Sequence, residues 1–463
     1  KRYIVDHAPA DQVPVPEKAP ATGKKVAIIG GGPCGLTAAY FLQLMGHQTT
    51  VFEEKSKLGG MLRYGIPNYR FPRERLQQDI DAILSTGVDV KMNVQIGTEQ
   101  MNQIRKEYDA VYIAIGAHTD KKLGLEGEDS NNVISAVDML RKIGDGNYPD
   151  FSGKRVVVVG GGNVAIDASR VSSRNKASQV QQFCLEQEVD MPASNEEIRE
   201  AREDGVTIHC GWGPQEIIET NGKVSAIVFK KCVSVFNDEG KFAPVYDENT
   251  TVTVDCERVI FAIGQRSVWG DLLKGEDVKF NGPAIELNKV TFQSSVEDIF
   301  AGGDVYTGPK FAIDAIAQGK IAAESLHRYV HHGHMETGRN RWEFKPLDTD
   351  DILVESYDRG PKQVEGINSK VTDKFKDNVL ALTEEQIKKE TSRCLGCGAT
   401  IVDANKCIGC GICTTKCDFD AIKLHRDHPE CSTMTVAEDK FKAIIPYQLK
   451  RVKNIILKKK VEH

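Results

Sequence analysis

The chain has 463 residues, of which 40% are hydrophobic and 27% charged, with a formal net charge of −6. That length allows about three domains of roughly 150 residues each, with room for a sizeable core. The near-balanced charge gives no argument for a nucleic-acid partner, and none is expected. The apolar stretch at 26–45 is interrupted by glycines, a proline and polar residues, so no membrane span is expected, and no secretory leader is visible.

In chain order, residues 1–23 carry Pro9, Pro14, Pro16 and Pro20 and read as an extended lead-in. The first residue is Lys1 rather than a methionine, so the natural start is expected upstream. Residues 25–40, KVAIIGGGPCGLTAAY, form an apolar β-run, a glycine turn and a helix start. Gly30, Gly32 and Gly35 fit G-x-G-x-x-G: the first glycine turns the chain, the second admits a pyrophosphate, and the third packs helix on strand. The N–H groups of the helix start then face a diphosphate. Glu53 and Glu54 close the next β-run at about the twenty-residue offset of a ribose-binding acid. Residues 58–67, LGGMLRYGIP, are too irregular for a plain helix and suit close approach to a large planar ligand. Residues 74–84 read as an amphipathic helix, and 109–116, DAVYIAIG, as a buried strand ending in glycine.

The glycine pattern recurs at 154–170, KRVVVVGGGNVAIDASR, where Gly160, Gly162 and Ala165 take the same three roles. A β-run at 179–185 leads to Glu186, and 195–204 reads as a charged helix. Residues 251–265 read as strands that end in a second Ala-Ile-Gly, at Gly264, matching the first at Gly116. The two units therefore read as internal repeats of one nucleotide-binding fold. At 298–309, DIFAGGDVYTGP, a strand, a glycine turn and Asp304 precede a helix over 311–329.

The turn at Gly303 and Asp304, with the fingerprint at Gly30 and both Ala-Ile-Gly ends, resembles the flavoproteins built from two dinucleotide-binding domains. More narrowly, residues 59–67 and 160–167 resemble the glutamate synthase small (beta) subunit group, which includes the flavin half of dihydropyrimidine dehydrogenase and the large subunit of ferredoxin-dependent NAD(P) transhydrogenases. The resemblance covers about residues 1–335. It implies FAD against Gly30, Gly32 and Gly35, with Glu53 on the adenosine ribose and Asp304 on the ribityl chain. Further cofactor-binding positions carried over are Pro33, Cys34, Glu54, Gly60, Met61, Leu62, Arg63, Ile66, Gly116, Gly160, Gly162, Asn163, Val164, Ala165, Glu186, Gly264, Gly303 and Ala312. It also implies a discontinuous FAD domain, 24–120 with 289–335, and an inserted NAD(P) domain at 121–288. Members of the group carry a cysteine-rich segment ahead of this region, which the sequence given does not contain.

NADPH-using members have Tyr-Arg-Arg where this chain has Cys184, Leu185 and Glu186. A carboxylate there accepts from a free ribose 2′-hydroxyl and repels a phosphate, so NAD(H) is favoured over NADP(H). Arg170 and Arg174 either offer charge to a phosphate or form the helix's solvated face. Cys34, Cys184, Cys210, Cys232 and Cys256 are isolated in sequence, leaving no Cys-x-x-Cys for a thiol relay. His47, His118 and His209 read as ordinary core or surface histidines, and no general acid or base is assigned.

A polar linker over 336–390 precedes the tail. Seven of the twelve cysteines fall between 394 and 431, a metal-site distribution that points to a reducing cytoplasm rather than a disulfide framework. Cys407, Cys410, Cys413 and Cys417 match C-x₂-C-x₂-C-x₃-C, the bacterial ferredoxin run, with Asp418 in place of its usual proline. One 4Fe-4S cluster is expected in a ferredoxin-like domain over 391–430. Cys394, Cys397 and Cys431 leave a second cluster open, although seven cysteines cannot supply eight ligands; zinc at Cys394 and Cys397, or a free thiol at Cys431, are the alternatives. Residues 450–460 read as a basic, partly apolar helix in the 431–463 tail, either solvated or docked on an acidic subunit or membrane surface.

The expected architecture is α/β, two Rossmann-like domains plus a small iron-sulfur domain. The expected function is a cytoplasmic NAD(P)H-linked electron-transfer subunit, passing single electrons from FAD through 4Fe-4S to other redox subunits or ferredoxin, with electron bifurcation left open. The alternatives are a glutamate synthase small subunit and a non-catalytic scaffold.

Overall fold

A computed structural model describes residues 2–7, 14–339, 361–392, 409–415 and 437–456. The chain divides into two compact units, Lys1–Arg393 and Cys394–His463. The first contains two parallel five-stranded sheets. One is built from β1 (Lys25–Ile29), β2 (Gln48–Glu53), β3 (Asp89–Met92), β4 (Ala110–Ile113) and β17 (Ile299–Ala301), in the order β17-β4-β1-β2-β3. The strand nearest in sequence to the chain's return, β17, pairs with β4 across nearly the whole insertion. The other sheet uses β6 (Val133–Ser135), β7 (Arg155–Val159), β8 (Gln179–Cys184), β9 (Thr207–Cys210) and β13 (Arg258–Phe261), in the order β6-β13-β7-β8-β9. Four strands of each sheet thus repeat one order, as the paired fingerprints predict.

Helices cover these sheets because parallel strands need crossovers. On the first sheet they are α2 (Pro33–Leu44), α3 (Met61–Tyr64), α4 (Arg73–Leu84), α5 (Thr98–Glu107), α9 (Asp304–Thr307) and α10 (Ala312–Val330); on the second, α6 (Ala136–Gly144), α7 (Asn163–Arg174) and α8 (Asn195–Glu203). The unbroken valine run of β7 is explained by burial on both faces. Val156 and Val158 enter the core under α7, while Val157 and Val159 enter the core shared with Phe229 and Ile227.

Those last two residues belong to a three-stranded antiparallel sheet, β10 (Trp212–Thr220), β11 (Lys223–Phe236) and β12 (Phe242–Asp255). Sequence reading recognised strand only from residue 251. The short strands β5 (Thr119–Asp120) and β14 (Gln265–Arg266) pair where the chain leaves and re-enters the inserted half. Residues beyond β14, including the hairpin β15 (Phe280–Asn281) and β16 (Ala284–Ile285), return earlier than the sequence boundary at 289. Leu272, Leu273, Ile285 and Leu287 are buried in the first sheet's core.

Two segments read as plain connectors are structured where described. The lead-in holds helix α1 (Arg2–His7), whose Arg2 and Asp6 bond to Asp377 and Arg75, and Lys18 Nζ donates to Thr86 O. Within 361–392 lie β18 (Gly366–Ile367), β19 (Val379–Leu380) and α11 (Glu384–Ser392). Phe375 packs between Tyr69 and Tyr148, and Lys374 O accepts from Arg174. In the second unit α12 (Ile412–Thr415) precedes α13 (Lys440–Ile456), which starts ten residues before the helix read at 450. Among the described residues no helix is long and apolar enough to cross a membrane.

An ion network joins the two sheets. Arg70, in the loop after α3, donates from Nη1 to both Asp167 oxygens at 2.6 Å and from Nη2 to Glu197 of α8. Burial pushes the Asp167 carboxyl up, against the pull of Arg70. Removing the guanidinium leaves two carboxylates short of their counter-charge. Arg70→Met should lower stability by about 3 kcal/mol, and Asp167→Asn in that background should recover part of the loss; chemical denaturation of the two variants measures both.

Candidate functional site

The first glycine turn rests on close backbone contacts. Gly30 has φ +107°, and a Cβ there would lie 2.4 Å from Ala114 O. Its N–H donates to Phe52 O at 2.8 Å. A Cβ at Gly35 would lie 2.1 Å from Gly30 O, so α2 sits directly on the turn. Gly60, at φ +50°, lays a second glycine on the first, since its Cβ would meet Gly32 Cα at 2.7 Å. Helix α2 has Gly32 as N-cap with no side-chain cap, so its first-turn N–H groups stay available to an anion.

Around this turn lies a cavity of about 320 Å³. Of the expected cofactor positions it is lined by Gly30, Gly32, Pro33, Cys34, Glu53, Glu54, Gly60, Met61, Gly116, Gly303 and Asp304. Gly35 lies beneath it. Leu62, Arg63, Ile66 and Ala312 fall outside its lining. Arg63 is turned away because its guanidinium bonds Leu58 O and Gln77, which fixes the glycine loop; Ile66 O is held by Arg73, and Leu62 packs on the first core. Ala312 begins α10, and the cavity is reached instead by Ala315, one turn on.

Glu53 Oε2 accepts from Gly31 N–H at 2.7 Å and Oε1 from Lys55 N–H at 2.8 Å. Burial nevertheless pushes its carboxyl up. Burial also pushes the Cys34 thiol up to about 12, and Sγ lies 3.0 Å from Tyr112 Oη, so Cys34 acts as a spacer under Gly303 rather than a nucleophile. Gly303 N–H donates to Gln318 Oε1 at 2.8 Å, which seats the turn before Asp304. Sequence reasoning missed His118, Tyr64, Ile96, Trp269 and Asp271 in the lining. The last two come from the early return of the chain, which no local pattern signals. His118 sits over Gly116 and is kept neutral by burial.

The second turn repeats the first. Gly160 has φ +142°, its Cβ would lie 2.4 Å from Ala262 O, and its N–H donates to Phe183 O at 2.8 Å. Ala165 holds the third position, and a Cβ at Gly160 would also meet its Cβ at 3.3 Å. Helix α7 has Gly162 as an uncapped N-cap, and a Cβ there would meet nothing within 4 Å. Asn163 and Val164 open that helix, and Asn163 Oδ1 accepts from Ser194 N–H. Glu186 stands against Gly161, as Glu53 does against Gly31, with Oε2 2.6 Å from the Cβ position. Gly264 carries φ +116° beside Lys121.

Arg170 and Arg174 are neither solvated nor free for a phosphate. Arg170 pairs with Glu200 and Asp204, Arg174 with Asp204, and both guanidinium groups cover the Tyr69 ring. Nor is every scattered cysteine alone: Cys184 and Cys210 are register partners on β8 and β9, with Sγ atoms 3.8 Å apart. Burial raises both thiols, and neither lines the first cavity.

Of the tail cysteines, Cys410 and Cys413 lie in the described stretch, flanked by Gly409 at φ +69° and Gly411 at φ +79°. Such glycines let the backbone curl around a bound centre. Cys394, Cys397, Cys407, Cys417 and Cys431 lie outside the described residues.

Asp304 is the titrating group of the first site. Burial raises its carboxyl to about 6, against a hydrogen bond from the Lys310 N–H. A carboxyl with a raised folded-state pKa takes up protons on folding between roughly pH 4 and 6, so it costs stability above that window and the cost fades below it. Asp304→Asn should raise the thermal midpoint of the ligand-free chain at pH 7.5, with the gain vanishing as pH falls to about 4; scanning fluorimetry across that range checks the sign.

The family model for pyridine nucleotide-disulphide oxidoreductases matches residues 24–319, and that for a 4Fe-4S binding domain matches residues 400–423. The chain is 38% identical to the NADP(+)-dependent formate dehydrogenase subunit beta of Moorella thermoacetica over 319 residues, covering 67% of this chain and 45% of that one. It therefore spans about half the length of that relative. It is 33% identical to the glutamate synthase [NADPH] small chain of Escherichia coli, covering 67% of this chain and 69% of that one. The fold matches that of FprA from Mycobacterium tuberculosis, solved in complex with NADPH, with a TM-score of 0.59 at 19% identity over 68% of this chain and 85% of that one. The chain thus belongs to the pyridine nucleotide-disulphide oxidoreductase family and, within it, to the glutamate synthase small-chain group.

Proposed function

We propose that this chain is an electron-transfer subunit that exchanges hydride with a nicotinamide dinucleotide and passes electrons singly, through its cysteine tail, to a partner subunit. The observation that carries the reading is the repeated turn. Two glycine N-caps without side-chain caps, Gly32 and Gly162, each follow a glycine, Gly31 or Gly161, that stands against a carboxylate, Glu53 or Glu186. The first has a cavity whose lining suits FAD: diphosphate N–H donors at α2, an acid for the adenosine ribose at Glu53, and Asp304 for a polyol chain. FAD, when bound, supplies the chemistry that takes a two-electron hydride and releases single electrons. The chain's own residues bind, orient and exclude water, and buried Cys34 offers no thiolate to compete.

The second turn is proposed for NAD(H). Glu186 is placed to accept from a ribose 2′-hydroxyl, and Arg170 and Arg174 are committed to acidic partners. The named relatives carry NADP(+) or NADPH in their names, so both nucleotides belong in the test. For the exit, the match over 400–423 supports one 4Fe-4S cluster on Cys407, Cys410, Cys413 and Cys417. A partner is supported by the beta-subunit and small-chain relatives and by α13, which leaves Phe441, Tyr447, Leu449 and Ile455 exposed.

Under anaerobic conditions NADH should bleach the bound flavin in the isolated chain, faster than NADPH does, and Glu186→Gln should raise the KM for NADH about tenfold. Equal or faster bleaching by NADPH overturns the nucleotide assignment, and no bleaching by either leaves the chain a scaffold. Iron and sulfide analysis should give about four of each per chain; stoichiometric zinc with no sulfide overturns the exit route. Chains that co-purify anaerobically decide between a glutamate synthase large subunit and other redox subunits.

A further inference from the structure

Three histidines meet outside the lining of the first cavity. His47 lies buried in the turn between α2 and β2, while His327 and His331 stand one turn apart at the C-terminal end of α10. Sequence gives no hint of the meeting, because 280 residues separate His47 from His327. We propose that His47, His327 and His331 form a binding site for a divalent first-row transition metal ion, Zn²⁺ foremost, that clips the turn before β2 to the end of α10.

Geometry comes first. The candidate ligand nitrogens all lie within 4.8 Å of one another, and His47 Nε2 is 2.8 Å from His327 Nδ1. Zn–N bonds of about 2.0–2.1 Å set tetrahedral ligand atoms about 3.4 Å apart, inside that range. An i, i+4 histidine pair presents two imidazoles on one helix face. Three nitrogens leave a fourth position for water, and His331 is exposed, so the ion has a way in.

A hydrogen bond orients His47. Thr22 Oγ1 lies 3.2 Å from Gly46 O and 2.8 Å from His47 Nδ1. In the tautomer where Thr22 donates to Gly46 O and accepts from His47 Nδ1–H, the Nε2 lone pair faces His327. That is the outer-shell arrangement of a metal-ligating histidine. The charge environment agrees: the carbonyl end of α10 favours a cation.

Because the tail cysteines also take zinc, the test compares variants that keep all of them. The full-length chain, with its clusters intact and under anaerobic conditions, is titrated with Zn²⁺ against a fluorescent chelator. The parent should bind one more equivalent than His331→Ala, whose exposed position spares the fold. Thr22→Val should keep the stoichiometry but bind that equivalent about 10- to 100-fold more weakly. Zinc-edge X-ray absorption on the extra equivalent should show a nitrogen shell at about 2.0–2.1 Å without sulfur at about 2.3 Å. Equal stoichiometry in parent and His331→Ala, or a sulfur shell, overturns the proposal. The thermal midpoint of the parent should rise with Zn²⁺ and that of His331→Ala should not; identical shifts also overturn it.

Discussion

The structure depends on one close approach made twice: a glycine Cα against the carbonyl of an Ala-Ile-Gly strand end. At Gly30 and at Gly160 a Cβ would come within 2.4 Å of Ala114 O and Ala262 O. No side chain survives that contact, so the turn can follow the strand immediately. The helix N-terminus is thereby brought to the carboxyl end of the central strand, where its uncapped N–H groups face open space. The adjacent N–H of each glycine is spent on the next strand, to Phe52 O or Phe183 O, which holds the acid that follows, Glu53 or Glu186, beside the turn. The two copies differ where packing allows. A Cβ at Gly35 would strike Gly30 O at 2.1 Å, whereas the second helix stands off enough to admit Ala165.

The inserted half is locked to the first by charge, by helix packing and by Tyr69, which the first half buries in the second sheet's core. Arg70 reaches from the glycine loop to Asp167 and Glu197, and a Cβ at Gly144 of α6 would lie 2.8 Å from Arg63 O. Such contacts are directional, and each fails if one partner is lost. On the other side α10 lies against α2 through Gly319, where a Cβ would meet Cys34 O at 2.3 Å. The chain's return through β17 and α10 therefore delivers Asp304 to a site begun some 270 residues earlier, as the offset between Gly30 and Asp304 requires.

What the sequence made legible was local. Strand, turn and helix of both fingerprints follow from β-branched runs breaking into glycine, and the repeat of Ala-Ile-Gly marked the strand ends that the turns lean on. What stayed hidden was whatever depends on distant chain meeting. Trp269 and Asp271 enter the cavity because the return has begun by Trp269 rather than near 289. The antiparallel strands β10 and β11 alternate irregularly through register shifts, so period-two reading fails there. Phe375, inside an apparently polar linker, is held by Tyr69 and Tyr148. Arg63 carried the right motif position but spends its guanidinium on Leu58 O and Gln77. A motif transfers a residue's place more securely than its task.

The thiols of the first unit are poorly suited to disulfide chemistry. Thiolate is the reactive form, and burial pushes the Cys34 thiol up to about 12, away from it. Cys184 and Cys210 do approach each other, yet burial raises both and they sit between strands of the inserted sheet, outside the lining of the first cavity. The family's name includes disulphide chemistry, but in this chain the cysteine spacing that suits electron traffic is the run in the tail, inside the stretch that matches a 4Fe-4S binding domain. Gly409 and Gly411 there hold the backbone in the left-handed region on either side of Cys410.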